Sequence, residues 1–194
     1  MKLNKSGPAI FMYFVICAGI LISAINFFLY YIYKINIKAI LWIGIVAFML
    51  VYHLWLRIIM GNVTKLFNLS YNMKWFKEHS FERKLYKLLK VKKWKGKALT
   101  YNPELFSIKK YSYHEIANTM TKAETDHWIN ELISLSSLLF AFLWGKFPIF
   151  LITCIAAMLF DMQFILIQRY NRPRVLKLAA MQYKKESADV KCLN

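Results

Sequence analysis

Glycine loops, paired metal ligands and acid are what this sequence has least of. Its six glycines form neither GxGxxG nor a Walker loop, which excludes the usual backbone cradles for nucleotide phosphates. Cys17, Cys154 and Cys192 make no CxxC pair, so neither a disulfide framework nor a metal centre follows from them. His114-Glu115 begins like an HExxH zinc site, but Asn118 stands where the second histidine belongs, and no metal is expected. There is no GxSxG elbow for a serine hydrolase. None of His53, His79, His114 or His127 has an aspartate five positions on, which removes the HxxxxD pattern of glycerolipid acyltransferases. Acid is scarce: 10 Asp and Glu stand against 27 Lys and Arg, for a net charge of +17.

Hydrocarbon and cation are abundant instead. A 194-residue soluble domain could not bury a chain that is 58% hydrophobic, so the membrane class comes first. Long apolar runs cover residues 9–33 and 39–60, then 128–144 and 147–168. About 20 residues at 1.5 Å each cross a hydrocarbon core, so the run from Trp128 is short unless its helix starts upstream, at about Thr121. The expected fold is an all-α membrane protein with four transmembrane helices arranged as two hairpins. A basic, partly interfacial-helical cytoplasmic segment lies between them. The chain then divides into a first hairpin (1–60), a cytoplasmic and interfacial cap (61–126), a second hairpin (127–170) and a basic cytoplasmic tail (171–194). The first run is too long for a signal-peptide core and lacks a small-residue cleavage site, so it reads as a retained span.

Four spans put the N-terminus, the central segment and the C-terminal tail on one side. That side carries 24 of the lysines and arginines, and the other only Lys34, Lys38 and Lys146. The imbalance places both termini in the cytoplasm of a multi-pass cell-membrane protein. Most of the excess charge flanks the spans, so the expected partner is the anionic inner leaflet and not nucleic acid.

Within the cap, "KWFKEHSFERKLYKLLKVKKWKGK" (74–97) alternates cations with aromatic and aliphatic residues. Phe81, Leu85, Leu88 and Leu89 recur at helical spacing, with Trp75, Tyr86 and Trp94 close by, as in helices that lie in the headgroup plane. The alternative is a stripe packed on the protein itself. Asn102-Pro103 marks a turn beyond it.

The sharpest polar cluster is "AETDHWINE" (123–131), directly before the apolar residues 132–144. On a helix from about Thr121, Glu124, His127 and Glu131 share one arc, while Asp126 points away. A histidine held by a carboxylate is the usual general base, able to take a proton from a hydroxyl attacking an acyl ester or thioester. Thr121-Lys122-Ala123-Glu124 also spells a capping box, so Glu124 either closes a helix N-terminus or orients His127. Asp161 sits in the last apolar run, about 10 Å below the cytoplasmic boundary at 1.5 Å per residue. A carboxylate there faces a cavity or pairs with a neighbour. Pro173 disfavours helix at Arg172, so the chain is expected to turn within "QRYNRPR" (168–174). Its arginines fit either a positive-inside anchor or a phosphate.

Three strings, "KKWKGKALT" (92–100), "TKAETDHWI" (121–129) and "QRYNRPRVLKL" (168–178), resemble in this order a bacterial membrane family, the glycosyl-4,4'-diaponeurosporenoate acyltransferases. These add a fatty acyl chain to a sugar on a C30 carotenoid. The resemblance covers roughly 74–178. By it, Glu124, His127, Trp128, Arg169, Asn171, Arg172 and Arg174 fall on shared positions. The chain departs from the pattern at Asp161-Met162-Gln163, where an asparagine followed by a proline two residues on is expected, and at Glu131 and Thr100. The resemblance implies a bacterial-membrane acyltransferase acting at the cytoplasmic leaflet. His127 would deprotonate a hydroxyl of an amphiphilic acceptor, with Glu124 orienting it. Arg169, Asn171, Arg172 and Arg174, together with Lys92, Lys93, Trp94 and Lys95, would hold the donor. Asp161, Glu131 and Trp128 would border the substrates. No bound cofactor is implied; acyl-CoA or another acyl carrier serves as co-substrate. The rival expectation is a non-enzymatic protein that binds or transports lipid.

Overall fold

The computed structural model describes residues 7–98 and 103–193. Lys2 and Lys5 lie outside the described residues, and so does Asn102, the first residue of the expected turn. Among the described residues seven α-helices follow one another: α1 (Gly7–Tyr31), α2 (Lys38–Val63), α3 (Ser80–Leu88), α4 (Val91–Trp94), α5 (Tyr113–Ser136), α6 (Ala141–Trp144) and α7 (Phe147–Leu193). Short 3-10 turns connect several of them, and no strand occurs among the described residues.

Among the described residues three helices are long and apolar enough to cross a membrane, at Ile10–Tyr31, Lys38–Leu66 and within Phe147–Lys185. The expected third of four spans does not stand with them. The run 128–144 is split by a 3-10 turn at Ser137–Phe140, and the first half of α5 is polar. By length and composition no single helix there is both long and apolar enough to count as a span on its own.

The chain forms two compact units. One comprises residues 1–63 and 129–160, the other residues 64–128 and 161–194. In the first, α1 and α2 pack closely. A Cβ built on Gly19 would sit 2.7 Å from Val51 Cγ2, so a larger residue there would force the valine side chain to shift. The core joins Leu41, Ile45 and Met49 of α2 to Ile149 and Phe150 of α7, ringed by Phe27, Phe48, Phe140 and Trp144. Tyr52 shares a 2.7 Å hydrogen bond with Ser136 Oγ, which satisfies a polar pair in an apolar setting. Gly145 ends α6 at φ 61°, and its N–H donates to the Ala141 carbonyl at 2.7 Å. Glycine reaches that left-handed conformation without the Cβ penalty, and the chain turns into α7.

The second unit builds its core from Tyr86, Val91 and Tyr170, with Trp94 and Leu166 packed against them. Its long α5 begins at Tyr113, eight residues before the expected start. The capping box that opens it is Ser112 and Glu115, not Thr121 and Glu124. The Ser112 N–H donates to Glu115 Oε2 at 2.8 Å, and the Glu115 N–H returns a bond to Ser112 Oγ at 3.3 Å. Thr121 lies inside the helix and is fully buried, its hydroxyl donating back to the Ala117 carbonyl at 2.9 Å. That is the habit of a mid-helix threonine. Ser112→Ala should destabilise the protein by about 1 kcal/mol, measured as a fall in the denaturation midpoint.

The chain does not turn at Pro173. Helix α7 runs through it to Leu193, so the expected tail is a continuation of helix. A proline inside a helix forfeits one backbone hydrogen bond and costs about 3 kcal/mol. Arg169 and Arg172, in the turn before it, are tied by ion pairs to buried carboxylates, and those bonds help offset the cost of continuing the helix.

Candidate active site

The polar residues of the candidate site come from the second unit's share of α5 and α7 and from the segment around α3. At about 100° per residue, Asp161, Phe164, Gln168, Arg169 and Arg172 fall within one arc and so share one side of α7. Thr121, Glu124, His127 and Trp128 do the same on α5. The contacts pair 121 with 172, 124 with 169 and 172, and 127 with 161, so within this unit the two helices run antiparallel.

His127 Nδ1 lies 2.8 Å from Asp161 Oδ1. The Asp161 side chain is 1% exposed and that of His127 23%. Phe164 stacks on the imidazole with ring centroids 4.7 Å apart and planes within 9°. The ring is thus gripped at one nitrogen and on one face. Its other nitrogen, Nε2, has no bonding partner among the described residues. A carboxylate on Nδ1 fixes the tautomer that leaves Nε2 as acceptor and favours the imidazolium once Nε2 takes a proton.

Glu124 does not hold His127, although the two are three residues apart on one helix. Arg169 Nη1 donates to its Oε1 at 3.1 Å, and Arg172 Nη2 to its Oε2 at 2.6 Å. Trp128 Nε1 adds a 3.3 Å bond to Oε1. Two guanidinium groups and an indole take both oxygens, and the orienting place expected of Glu124 belongs to Asp161.

The same contacts occupy the two arginines expected at a donor phosphate. Arg172 is 2% exposed, with Nη1 on Thr121 Oγ1 at 3.2 Å and its guanidinium 5.2 Å over the Phe76 ring. Arg169 bonds the Trp75 carbonyl at 2.9 Å and pairs with Glu82 at 3.1 Å. Both arginines therefore tie helices together. Trp128 is engaged likewise, edge-on to Trp75 at 6.0 Å.

A second group collects around Tyr170. Lys95 Nζ donates to Asn171 Oδ1 at 2.6 Å and lies 4.8 Å from the Tyr170 ring centroid. Arg174 stacks its guanidinium on the same ring at 3.4 Å and also donates to the Tyr170 carbonyl. Burial pushes the Lys95 ammonium down from the usual lysine range, and the charges of Arg174 and Lys92 push it the same way. Among the described residues no carboxylate pairs with these cations. Lys92 and Lys93 are exposed, while Trp94 packs on the Tyr86–Tyr170 core and donates to the Leu89 carbonyl at 2.9 Å.

Glu131 belongs to the first unit, where it is buried. His114 is bonded to the Tyr71 hydroxyl at 2.8 Å. Sequence reasoning missed Phe164 and Glu82. Phe164 lies one turn from Asp161 and was legible as its neighbour. Nothing local marks Glu82, one acid in a cationic helix, as buried.

These features define a class: an all-helical protein with membrane-long helices and a carboxylate-held histidine on the antiparallel α5–α7 pair. The chain belongs to the glycosyl-4,4'-diaponeurosporenoate acyltransferase family, whose model matches residues 72–181, more than half of its length. It is accordingly an acyltransferase. No curated protein and no solved structure matches the chain.

Proposed function

We propose that the protein transfers a fatty acyl group from acyl-CoA or another acyl carrier to a hydroxyl, most simply a sugar's, on an amphiphilic acceptor at the cytoplasmic leaflet. The observation that carries this reading is His127, gripped by Asp161 and Phe164 with Nε2 left for a substrate. Nε2 takes the hydroxyl proton as that oxygen attacks the acyl carbonyl. The tetrahedral adduct then collapses, the bond to the carrier breaks, and the imidazolium returns the proton to the leaving group. Asp161 stabilises the imidazolium between those steps. A carotenoid glycoside is the acceptor the family's name supplies.

The donor's phosphates go to the cations around Tyr170: Lys95 and Arg174, with Asn171 behind Lys95 and the exposed Lys92 and Lys93 beside them. Support comes from their mutual repulsion, which an arriving phosphate relieves. Because the Lys95 pKa is lowered, its charge is lost at a lower pH than an ordinary lysine's, and donor affinity falls as pH rises through that lowered value. For topology we favour four spans as two hairpins, the residues around 128–144 crossing with α7. Both termini are then cytoplasmic, as the 24 to 3 division of basic residues requires.

Mass spectrometry of lipid extracts from cells with and without the protein tests the reaction: a lipid heavier by one fatty acyl group should depend on it. Identical lipids with acceptors present would remove the reading. Asp161→Asn keeps size and shape but removes the charge that supports the imidazolium. It should lower kcat about a hundredfold and leave KM for either substrate nearly unchanged. A raised KM with normal kcat would assign Asp161 to binding instead.

A further inference from the structure

Helix α3 has three sides with three different surroundings. Glu82 and Tyr86, one turn apart, are each 4% exposed; the Tyr86 hydroxyl donates to Glu82 Oε2 at 2.6 Å, and Glu82 holds Arg169. At about 100° per residue, the next arc round the axis is Phe81, Leu85 and Leu88. Phe81 is 62% and Leu88 77% exposed, with Leu85 between them half-buried. The third arc is Arg83, Lys84 and Lys87. Trp75 before the helix and Leu89 after it extend the exposed apolar surface.

The charges say what covers it. Residues 74–97 carry ten lysines and arginines and only Glu78 and Glu82. Both carboxylates are engaged by arginines, Glu78 by Arg83 at 3.1 Å and Glu82 by Arg169. Among the described residues the segment's lysines have no anionic partner. An apolar arc bordered by uncompensated ammonium groups is complementary to anionic headgroups above acyl chains. A chain with three membrane-long helices has such a surface beside it. We infer that α3 docks flat on the anionic leaflet through Phe81, Leu85 and Leu88, with Lys84 and Lys87 reaching headgroups. Its third side stays on the protein through Glu82 and Tyr86. This docking is independent of the reaction catalysed.

Amide hydrogen exchange on the whole protein tests it, in nanodiscs of phosphatidylcholine alone and of phosphatidylcholine mixed with phosphatidylglycerol. Exchange over residues 80–89 should slow about tenfold with the anionic lipid and revert in high salt, since headgroup attraction is screened. The doubly substituted Phe81→Ser, Leu88→Ser protein should lose that protection. Its exchange over residues 113–128 should match the parent's, since both side chains point outward. Equal α3 exchange in the two lipids overturns the inference. So does α3 protection that rises with protein concentration whatever the lipid, which would mean that a second copy covers the arc.

Discussion

His127→Ala protein should fold normally and transfer no measurable acyl group. General-base catalysis is worth about 10²–10⁴ in rate, and His127 is the imidazole that the α5–α7 pair holds for a reaction that begins by removing a hydroxyl proton. The His127 side chain is partly exposed and makes one hydrogen bond and one ring contact, so truncating it leaves few groups unsatisfied. Asp161 does lose the bond to His127, a cost that a neutral Gln at position 127 would soften by keeping a donor there. His127→Ala and His127→Gln should therefore be equally inactive while differing slightly in thermal stability. The measurement is turnover of a labelled acyl donor by purified, reconstituted protein, with exchange over α5 as the folding control. A variant within twofold of the parent's rate would remove His127 from the chemistry.

Glu124→Ala should behave in the opposite way, with a large loss of stability that precedes any question of turnover. Glu124 is fully buried and receives bonds from Arg169, Arg172 and Trp128. Without it, Arg172 keeps the Thr121 hydroxyl and the Phe76 ring but no counter-ion seen among the described residues, while 2% exposed. Leaving one charge of a buried pair alone costs about 3–5 kcal/mol, enough to unfold many proteins outright. Arg169 loses less, because Glu82 still holds it. Removing both charges should recover much of the loss, since apolar side chains of similar volume replace such pairs at little cost. Chemical denaturation of Glu124→Ala, and of Glu124→Met with Arg172→Met, reads both effects. If Glu124→Ala is as stable as the parent but inactive, Glu124 belongs to the chemistry and the ion-pair account fails.

What the sequence allowed and what it hid have separate physical causes. The helices α1, α2 and the first half of α7 were legible because bilayer-length apolar runs have few alternatives. His127 and Asp161 were each legible as unusual, one at the edge of an apolar run and the other inside one. Their union was not, because 34 residues separate them and only packing brings α5 to α7. Glu124 looked like the partner because helical spacing says which side chains can meet. It cannot say which competitor wins, and two guanidinium groups outcompete one imidazole.

The start of α5 was misread for a related reason. "SYHE" and "TKAE" satisfy the same capping pattern nine residues apart, and pattern alone does not rank them. The buried residues Ile116, Ala117 and Met120 already form a helical stripe upstream of Thr121. That stripe decides for Ser112. At Pro173 the local preference for a turn was not followed: the helix continues, with Arg169 and Arg172 ion-paired in the turn before it.

The antiparallel contact between α5 and α7 works like a key with several teeth. Position 121 meets 172, 124 meets 169 and 172, and 127 meets 161, each tooth different in charge and shape. Sliding one helix by a residue turns its teeth about 100° out of the lock. Evolution can therefore repaint the outward faces of both helices freely, yet it has almost no freedom to lengthen or shorten the stretch from 161 to 172. Divergence in this part of the chain has to proceed by substitution and not by insertion.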